Sequence, residues 1–185
     1  MSDPLYSRDV LKLAAAAAGA GELPEPRLSG YALNPVCGDK VSVTLQLDNR
    51  GRITGLAHNT KACVFTQASA SILGAQSRGA DEARIRHLRH QVEAMLTGAA
   101  APAAPFADYA ALAGVAVHKN RHTCVLLPID AVLGALAVAE PLEISDPAPK
   151  RPKRKLTPVR ARAARGKKRT RPRKTRVGKT GRRRR

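Results

Sequence analysis

The apolar and polar residues between positions 41 and 59 follow a pattern that predicts a β-hairpin. Val41 to Leu47 alternates strictly between apolar and polar side chains, which is typical of a strand with one buried face. Asp48 to Gly51 is a turn sequence, since Gly51 can adopt the positive φ that a tight turn often needs. Ile53 to Asn59 then returns as the partner strand, so the pattern predicts a small antiparallel sheet.

Helices are predicted on both sides of this hairpin. They cover Tyr6 to Ala18, Cys63 to Arg78, Asp81 to Leu96 and Phe106 to Leu112, with a final helix reaching about Ala139. We place the start of the final helix near Leu127, because Pro128 is tolerated in a first turn but not deeper. The segment from Glu22 to Leu33 is rich in turn-forming residues. The expected fold is α/β of the α+β kind, a small antiparallel sheet with helices packed on it.

The formal net charge of +19 is concentrated at the C-terminal end of the chain. The segment from Lys150 to Arg185 holds 20 Lys or Arg residues and no acidic residue, so residues 1–149 hold 13 basic and 14 acidic side chains. The composition from residue 147 onward cannot build an apolar core. We therefore predict a folded domain at residues 1–146 and a disordered Lys/Arg-rich tail at residues 147–185.

The predicted tail has two interpretations. Basic blocks bind phosphate backbones through counterion release, so the tail is a candidate for weak, nonspecific contact with nucleic acid. It contains no aromatic residue, which removes base stacking as a source of specificity. The alternative is a tail that only keeps the protein in solution.

The N-terminal part of the chain bears on localisation. No run of 18 apolar residues is present, so no membrane span is expected. The Ala-rich stretch from Leu11 to Gly21 follows Asp3 and Asp9, and alanine makes a weak apolar segment for a signal peptide. We interpret the stretch as a helix and expect a cytoplasmic protein, with secretion as the alternative.

Three widely spaced cysteines, Cys37, Cys63 and Cys124, carry the candidate chemistry. An odd number at this spacing does not predict a disulfide framework. Cys37 is expected on a loop, Cys63 at a helix start, and Cys124 at or just before another, and helix N-termini favour thiolates. With the carboxylate of Asp39, three thiolates can complete a tetrahedral metal site. On spacing alone, three ordinary buried cysteines explain the pattern equally well.

Three motifs resemble those of the U-type iron–sulfur cluster assembly scaffolds, the family of IscU, SufU and the N-terminal domain of NifU. Asn34 to Asp39 resembles the first ligand loop of the family. Cys63 with Thr66 to Ser71 resembles the second cysteine and the small-residue helix after it. Gly114-Val115 with Arg121 to Cys124 resembles the third site. The similarity runs from about Tyr6 to Ala139.

Within this family the chain most resembles the SufU branch. Cys63 and Cys124 are 61 positions apart, which resembles the longer SufU spacing, and Arg121 matches an Arg of that branch. Thr123 stands where IscU-type scaffolds have His, so His122 is a doubtful ligand and Asp39 is favoured as the fourth.

The resemblance implies a scaffold that takes sulfur from a cysteine desulfurase, holds it with iron as a nascent cluster, and passes the cluster to acceptor proteins. It implies Cys37, Asp39, Cys63 and Cys124 as ligands of a transient cluster, of the 2Fe–2S type, and Asp39 as the ligand that keeps the cluster labile. Cys124 is the candidate sulfur acceptor, and Arg121 the candidate stabiliser of its thiolate or persulfide.

Two alternatives stay open at this point. One is a SufU-like, zinc-dependent sulfur acceptor for a cysteine desulfurase, in which Zn²⁺ fills the same four-ligand site at rest. The other is a nonspecific nucleic-acid-binding protein that acts through the tail. A scaffold is expected to be non-enzymatic, whereas the zinc alternative implies a sulfurtransferase activity.

Overall fold

A computed structural model describes residues 4–25 and 27–138 of the chain. In chain order the elements are a short 3-10 helix (Pro4–Tyr6), α1 (Arg8–Ala16), β1 (Leu28–Leu33), β2 (Lys40–Leu47), β3 (Ile53–Lys61), α2 (Val64–Gln76), α3 (Glu82–Leu96), a longer 3-10 helix (Ala107–Val117) and α4 (Lys119–Ala137). The predicted tail and the boundary after residue 146 lie outside the described residues, so both stay predictions.

The three strands form one antiparallel sheet in the order β1-β2-β3. The central pair is the predicted hairpin, and Val41, Val43 and Leu45 are buried on one face as the alternation indicated. Helix α4 packs on β1 and β2, α2 packs on β3 and α4, and α3 covers α4 from outside. The predicted fold class, a small antiparallel sheet with packed helices, is therefore confirmed.

Strand β1 corrects the interpretation of residues 22–33 as turns. Its inward positions carry small side chains at Gly30 and Ala32, whereas Tyr31 and Leu33 on the other face are largely exposed. A Cβ added to Gly30 would lie 2.2 Å from the carbonyl oxygen of Ala131. Strand β1 is thus built around a close contact with α4, and the usual alternation of large apolar and polar side chains is inverted.

The final helix begins earlier than predicted. Helix α4 starts at Lys119 and runs through Pro128, which lies deep in its interior. A proline has no N–H for the carbonyl four residues earlier, which here belongs to Cys124. The Thr66 hydroxyl of α2 lies 2.9 Å from that carbonyl and can donate to it instead. A hydroxyl of the neighbouring helix is therefore within reach of the carbonyl that the interior proline leaves without its usual donor.

Small side chains of α2 allow close packing on two sides. Ser71 accepts a hydrogen bond from the Ala18 amide just after α1, at 3.0 Å, and a Cβ on Gly74 would lie only 1.9 Å from the Ala18 carbonyl oxygen. On the other side, Ser69 donates to the Val125 carbonyl of α4 at 2.7 Å. These contacts hold the middle of α2 against α4 and against the residue that follows α1. Among the described residues, no helix is both long and apolar enough to cross a membrane.

Candidate metal centre

Cys37 lies on the loop between β1 and β2, and Asn34 shapes that loop. The Asn34 side-chain oxygen accepts the Val36 amide at 3.1 Å, while the Asn34 backbone accepts Gly38 N–H at 2.8 Å and donates to the Asp39 carbonyl at 2.9 Å. Gly38 closes the loop with φ of +77°, a conformation that glycine adopts without strain. Cys37 is exposed at the tip of this hydrogen-bonded turn.

Asp39 follows the loop and is buried, with its carboxylate held by α2. Its Oδ1 accepts the Cys63 backbone N–H at 3.0 Å, and its Oδ2 accepts the Thr66 hydroxyl at 2.7 Å. Burial alone would raise the pKa of Asp39, but hydrogen bonds from Thr66, Cys63 and Cys37 outweigh it and lower the pKa. Asp39 is therefore a carboxylate at neutral pH and a ready ligand.

Cys63 is the N-cap residue of α2. Its predicted position at a helix start is therefore confirmed. It is partly exposed, and its Sγ lies 3.5 Å from the Thr66 hydroxyl oxygen. Its backbone N–H is the group that anchors Asp39. The second cysteine and the carboxylate are thereby tied to each other.

Cys124 lies in the second turn of α4 and is completely buried. The expectation that it sits at a helix start is wrong, so free N–H groups of a helix N-terminus do not favour its thiolate. Burial and the neighbouring sulfur atoms of Cys63 and Cys37 raise the pKa of Cys124 to about 12. Without a metal this residue is a protonated thiol, and a metal must displace its proton.

The loop and α4 bring three donors together. One ligand atom each from Cys37, Asp39 and Cys124 lie within 4.8 Å of one another, and the two Sγ atoms are 3.8 Å apart. Two sulfurs bound to one tetrahedral zinc at about 2.3 Å lie about 3.8 Å apart, so the thiol pair is already at the spacing of a metal-bound pair. Among the described residues, Cys63 is not part of this group. It is connected to the group by the hydrogen bond from its backbone N–H to Asp39. The donor set of soft thiols and one carboxylate fits zinc or iron–sulfur chemistry.

Arg121 and His122 occupy different environments beside the site. The Arg121 guanidinium lies near Cys124 and Cys63, and its interaction with the Cys124 side chain is the main cause that raises the pKa of Arg121. His122 bonds through Nε2 to the Ala116 carbonyl at 3.0 Å and does not join the three-donor group. The cation next to the buried thiol is thus Arg121.

Sequence reasoning assigned no role to two residues that shape the site. Asn34 is buried, and its Nδ2 lies 3.8 Å from Cys124 Sγ, where it donates to the sulfur. Thr66 is buried between Asp39, Cys63 and Cys124. The spacing of three positions between Cys63 and Thr66 on one helix face was a usable signal for Thr66. The contact of Asn34 with Cys124 joins positions 90 apart, and no local pattern indicates it.

Comparison with known proteins places the chain in a family. Residues 5–125 match the family model described as NifU-like N terminal domain. No match was found among the curated protein sequences. The fold is similar to the N-terminal part of a nitrogen-fixing NifU-like protein from Brucella abortus, at 32% identity and a TM-score of 0.69, with 73% of this chain and 94% of that chain covered.

A second similar structure is a SUF-system scaffold protein for iron–sulfur cluster assembly from Fervidobacterium islandicum AW-1. Its identity is 21% and its TM-score 0.64, with 74% of this chain and 99% of that chain covered. At this identity the likeness shows a shared fold, so the assignment to the SufU branch stays a prediction. The resemblance to the wider family is confirmed, because the match runs from the first 3-10 helix through Cys124. This chain belongs to the NifU-like N terminal domain family.

Proposed function

We propose that this protein is an iron–sulfur cluster assembly scaffold. The observation that carries the proposal is the convergence of Cys37, Asp39 and Cys124 within 4.8 Å from a loop and a helix that are far apart in sequence. Family membership supports it, as does the fold shared with a scaffold of the SUF system. The cluster is the cargo of the protein, built on these side chains and then passed on.

Four residues would hold the cargo. Cys37, Cys124 and Asp39 form the preassembled group, and Cys63 would join it from the N-cap of α2. Thiolates bind iron strongly, whereas a carboxylate is a harder and weaker ligand for such a site. Asp39 therefore provides the position at which an acceptor protein can begin to take over the cluster.

Sulfur would arrive from a cysteine desulfurase that carries it as a persulfide. A scaffold thiolate attacks the terminal sulfur of that persulfide, the sulfur–sulfur bond breaks, and the desulfurase cysteine leaves as a thiolate. The sulfur moves between two thiolates, so this transfer itself needs no oxidant or reductant. Conversion of the bound persulfide sulfur to cluster sulfide then takes two electrons per sulfur, which ferrous iron and a thiol or protein electron donor would supply. We retain Cys124 as the acceptor. Its buried thiol must first lose its proton, as it does when a metal binds, and Arg121 would stabilise the charged forms. Its burial also requires the exposed Cys37 loop to move aside during transfer.

The second candidate is a zinc-dependent sulfur acceptor. The 3.8 Å separation of the Cys37 and Cys124 sulfurs supports it, since this distance suits two thiolates on one tetrahedral metal ion, zinc included. Zinc would be held by the same four residues and would keep the thiolates deprotonated at neutral pH. In that case the transferred sulfur is the product, and no cluster is built on the chain.

Reconstitution under anaerobic conditions tests the proposed scaffold. The chain is incubated with ferrous iron, L-cysteine, a cysteine desulfurase and a thiol reductant that supplies the electrons for sulfide, and cluster formation is followed by visible absorption. We expect a cluster on the wild type and its loss in Cys37→Ser and Cys124→Ser. His122→Gln is the matched control, because His122 is next to the site in sequence and bonds to Ala116. Equal cluster formation by both serine variants contradicts the proposal.

A further inference from the structure

We infer that Thr66 is a positioning residue for the candidate metal centre. Its one hydroxyl hydrogen can be donated either to the Asp39 carboxylate or to the Cys124 carbonyl. The inference rests on the proposed metal-binding function of the site. Thr66 is fully buried, with Oγ1 2.7 Å from Asp39 Oδ2 and 2.9 Å from the Cys124 carbonyl oxygen. It connects a carboxylate on one side of the site to the backbone of a cysteine on the other.

The chemistry of the hydroxyl makes these two contacts alternatives. A threonine hydroxyl has one hydrogen to donate, and neither a carboxylate nor a carbonyl can donate one in return. The charged carboxylate is the stronger acceptor and has the shorter contact, so the hydrogen points to Asp39 while that carboxylate is in place. If Asp39 turns away, the same hydrogen can point to the Cys124 carbonyl.

Pro128 is what leaves the Cys124 carbonyl available. In a regular helix this carbonyl would accept the N–H of residue 128, which proline lacks. One turn along α2, Ser69 makes a similar bond to the Val125 carbonyl at 2.7 Å, but its other partner is Tyr109. Ser69 therefore attaches α2 to α4 as Thr66 does, with no contact to Asp39.

This arrangement holds Asp39 in place at rest and also lowers the cost of its moving away. A buried hydroxyl left without an acceptor is costly, and here a second acceptor is always within reach. Thr66 thus holds the carboxylate next to the thiols of Cys37 and Cys124, and its hydrogen is taken up by α4 when the carboxylate moves. Groups that orient a metal ligand in this way usually change metal affinity when removed.

Zinc affinity of the full chain, measured by competition with a chromophoric chelator in reducing buffer, tests the inference. Thr66→Val keeps the shape and removes the donor, and we expect affinity to fall by about 10–100-fold. Thr66→Ser restores the donor and should return affinity close to that of the wild type. Ser69→Ala is the matched control on the same helix, and its affinity should equal that of the wild type.

Two backgrounds separate positioning from stability. In Asp39→Ala, Thr66→Val should cause no further loss of affinity, since its effect acts through the carboxylate. In Pro128→Ala, residue 128 regains an N–H for the Cys124 carbonyl. In this background the Cys124 carbonyl keeps a hydrogen-bond donor even when Thr66 is replaced by Val, so the variant should fold. Its loss of zinc affinity should persist.

The outcomes are distinguishable. Wild-type affinity in Thr66→Val, failure of Thr66→Ser to restore binding, or an equal loss in the Asp39→Ala background overturns the role of Thr66 while the metal site stands. A wild-type chain that binds no zinc overturns the proposed metal site itself, and this inference with it.

Discussion

Replacing Asp39 with Ala should destabilise the metal-free protein by an amount that the structure allows us to work out. The change removes the acceptor of the Cys63 N–H at 3.0 Å and of the Thr66 hydroxyl at 2.7 Å. Hydrogen bonds to a charged group contribute about 1.5–3 kcal/mol each. Burial of the carboxylate opposes this gain, and Thr66 can turn to the Cys124 carbonyl in the variant. We expect a net loss of about 2 kcal/mol, or about 6–8 °C in Tm for a domain of this size.

The pH dependence of this loss identifies its origin. Because the pKa of Asp39 is lowered in the folded state, its stabilisation is present above the unfolded-state value of about 4 and is lost as the pH falls through the folded-state pKa. Thermal unfolding of metal-free wild type and Asp39→Ala should therefore show a constant gap from pH 7 to pH 5 that closes below about pH 4. Asp39→Asn retains one acceptor without the charge and should lie between the two.

Two results would refute this reasoning. If Asp39→Ala unfolds at the wild-type temperature at neutral pH, its hydrogen bonds contribute nothing to the fold. If the gap remains undiminished at the acidic end of the series, the effect comes from packing and not from the charged carboxylate.

Three further outcomes are expected. Asp39→Ala should slow cluster transfer to an acceptor protein, measured as the rate of cluster gain by the acceptor, because its exchangeable ligand is gone; faster transfer would contradict this role. The pKa of His58 is lowered, mainly by burial, so stability should fall as the pH drops below about 6.5, and His58→Gln should flatten that dependence in thermal unfolding. Deleting residues 147–185 should leave zinc affinity and Tm unchanged. It should abolish any salt-sensitive binding of DNA in a mobility-shift assay. DNA binding by the truncated chain would contradict the prediction that the tail alone contacts nucleic acid.

The hairpin and most helices could be predicted because their signals are local. Val41 to Leu47 alternates cleanly, and Ser7 and Asp81 accept backbone N–H groups at the starts of α1 and α3. Strand β1 was missed because its inward positions at Gly30 and Ala32 are small to admit α4. The small residues at its inward positions are explained by the packing of α4, which the local sequence does not indicate.

The candidate site shows the same division between local and nonlocal information. Cys37, Asp39 and Cys63 lie on the loop and the helix start that their local sequence predicts. The environment of Cys124 was misjudged because a proline normally marks a helix start, whereas Pro128 lies inside α4. The hydroxyl within reach of the Cys124 carbonyl belongs to Thr66, 58 positions from Cys124. Such a long-range hydrogen bond leaves no periodic trace in the sequence.

Iron, zinc and acid-labile sulfide analysis of the full chain, purified without oxygen, tests the central claim most directly. The scaffold proposal predicts iron and sulfide in equal amounts, with both lost in Cys37→Ser and Cys124→Ser. Zinc without sulfide on the wild type would contradict the scaffold and favour the sulfur acceptor. Iron and sulfide that remain on both serine variants would show that the cluster is held elsewhere, and would contradict the site assigned to Cys37, Asp39, Cys63 and Cys124.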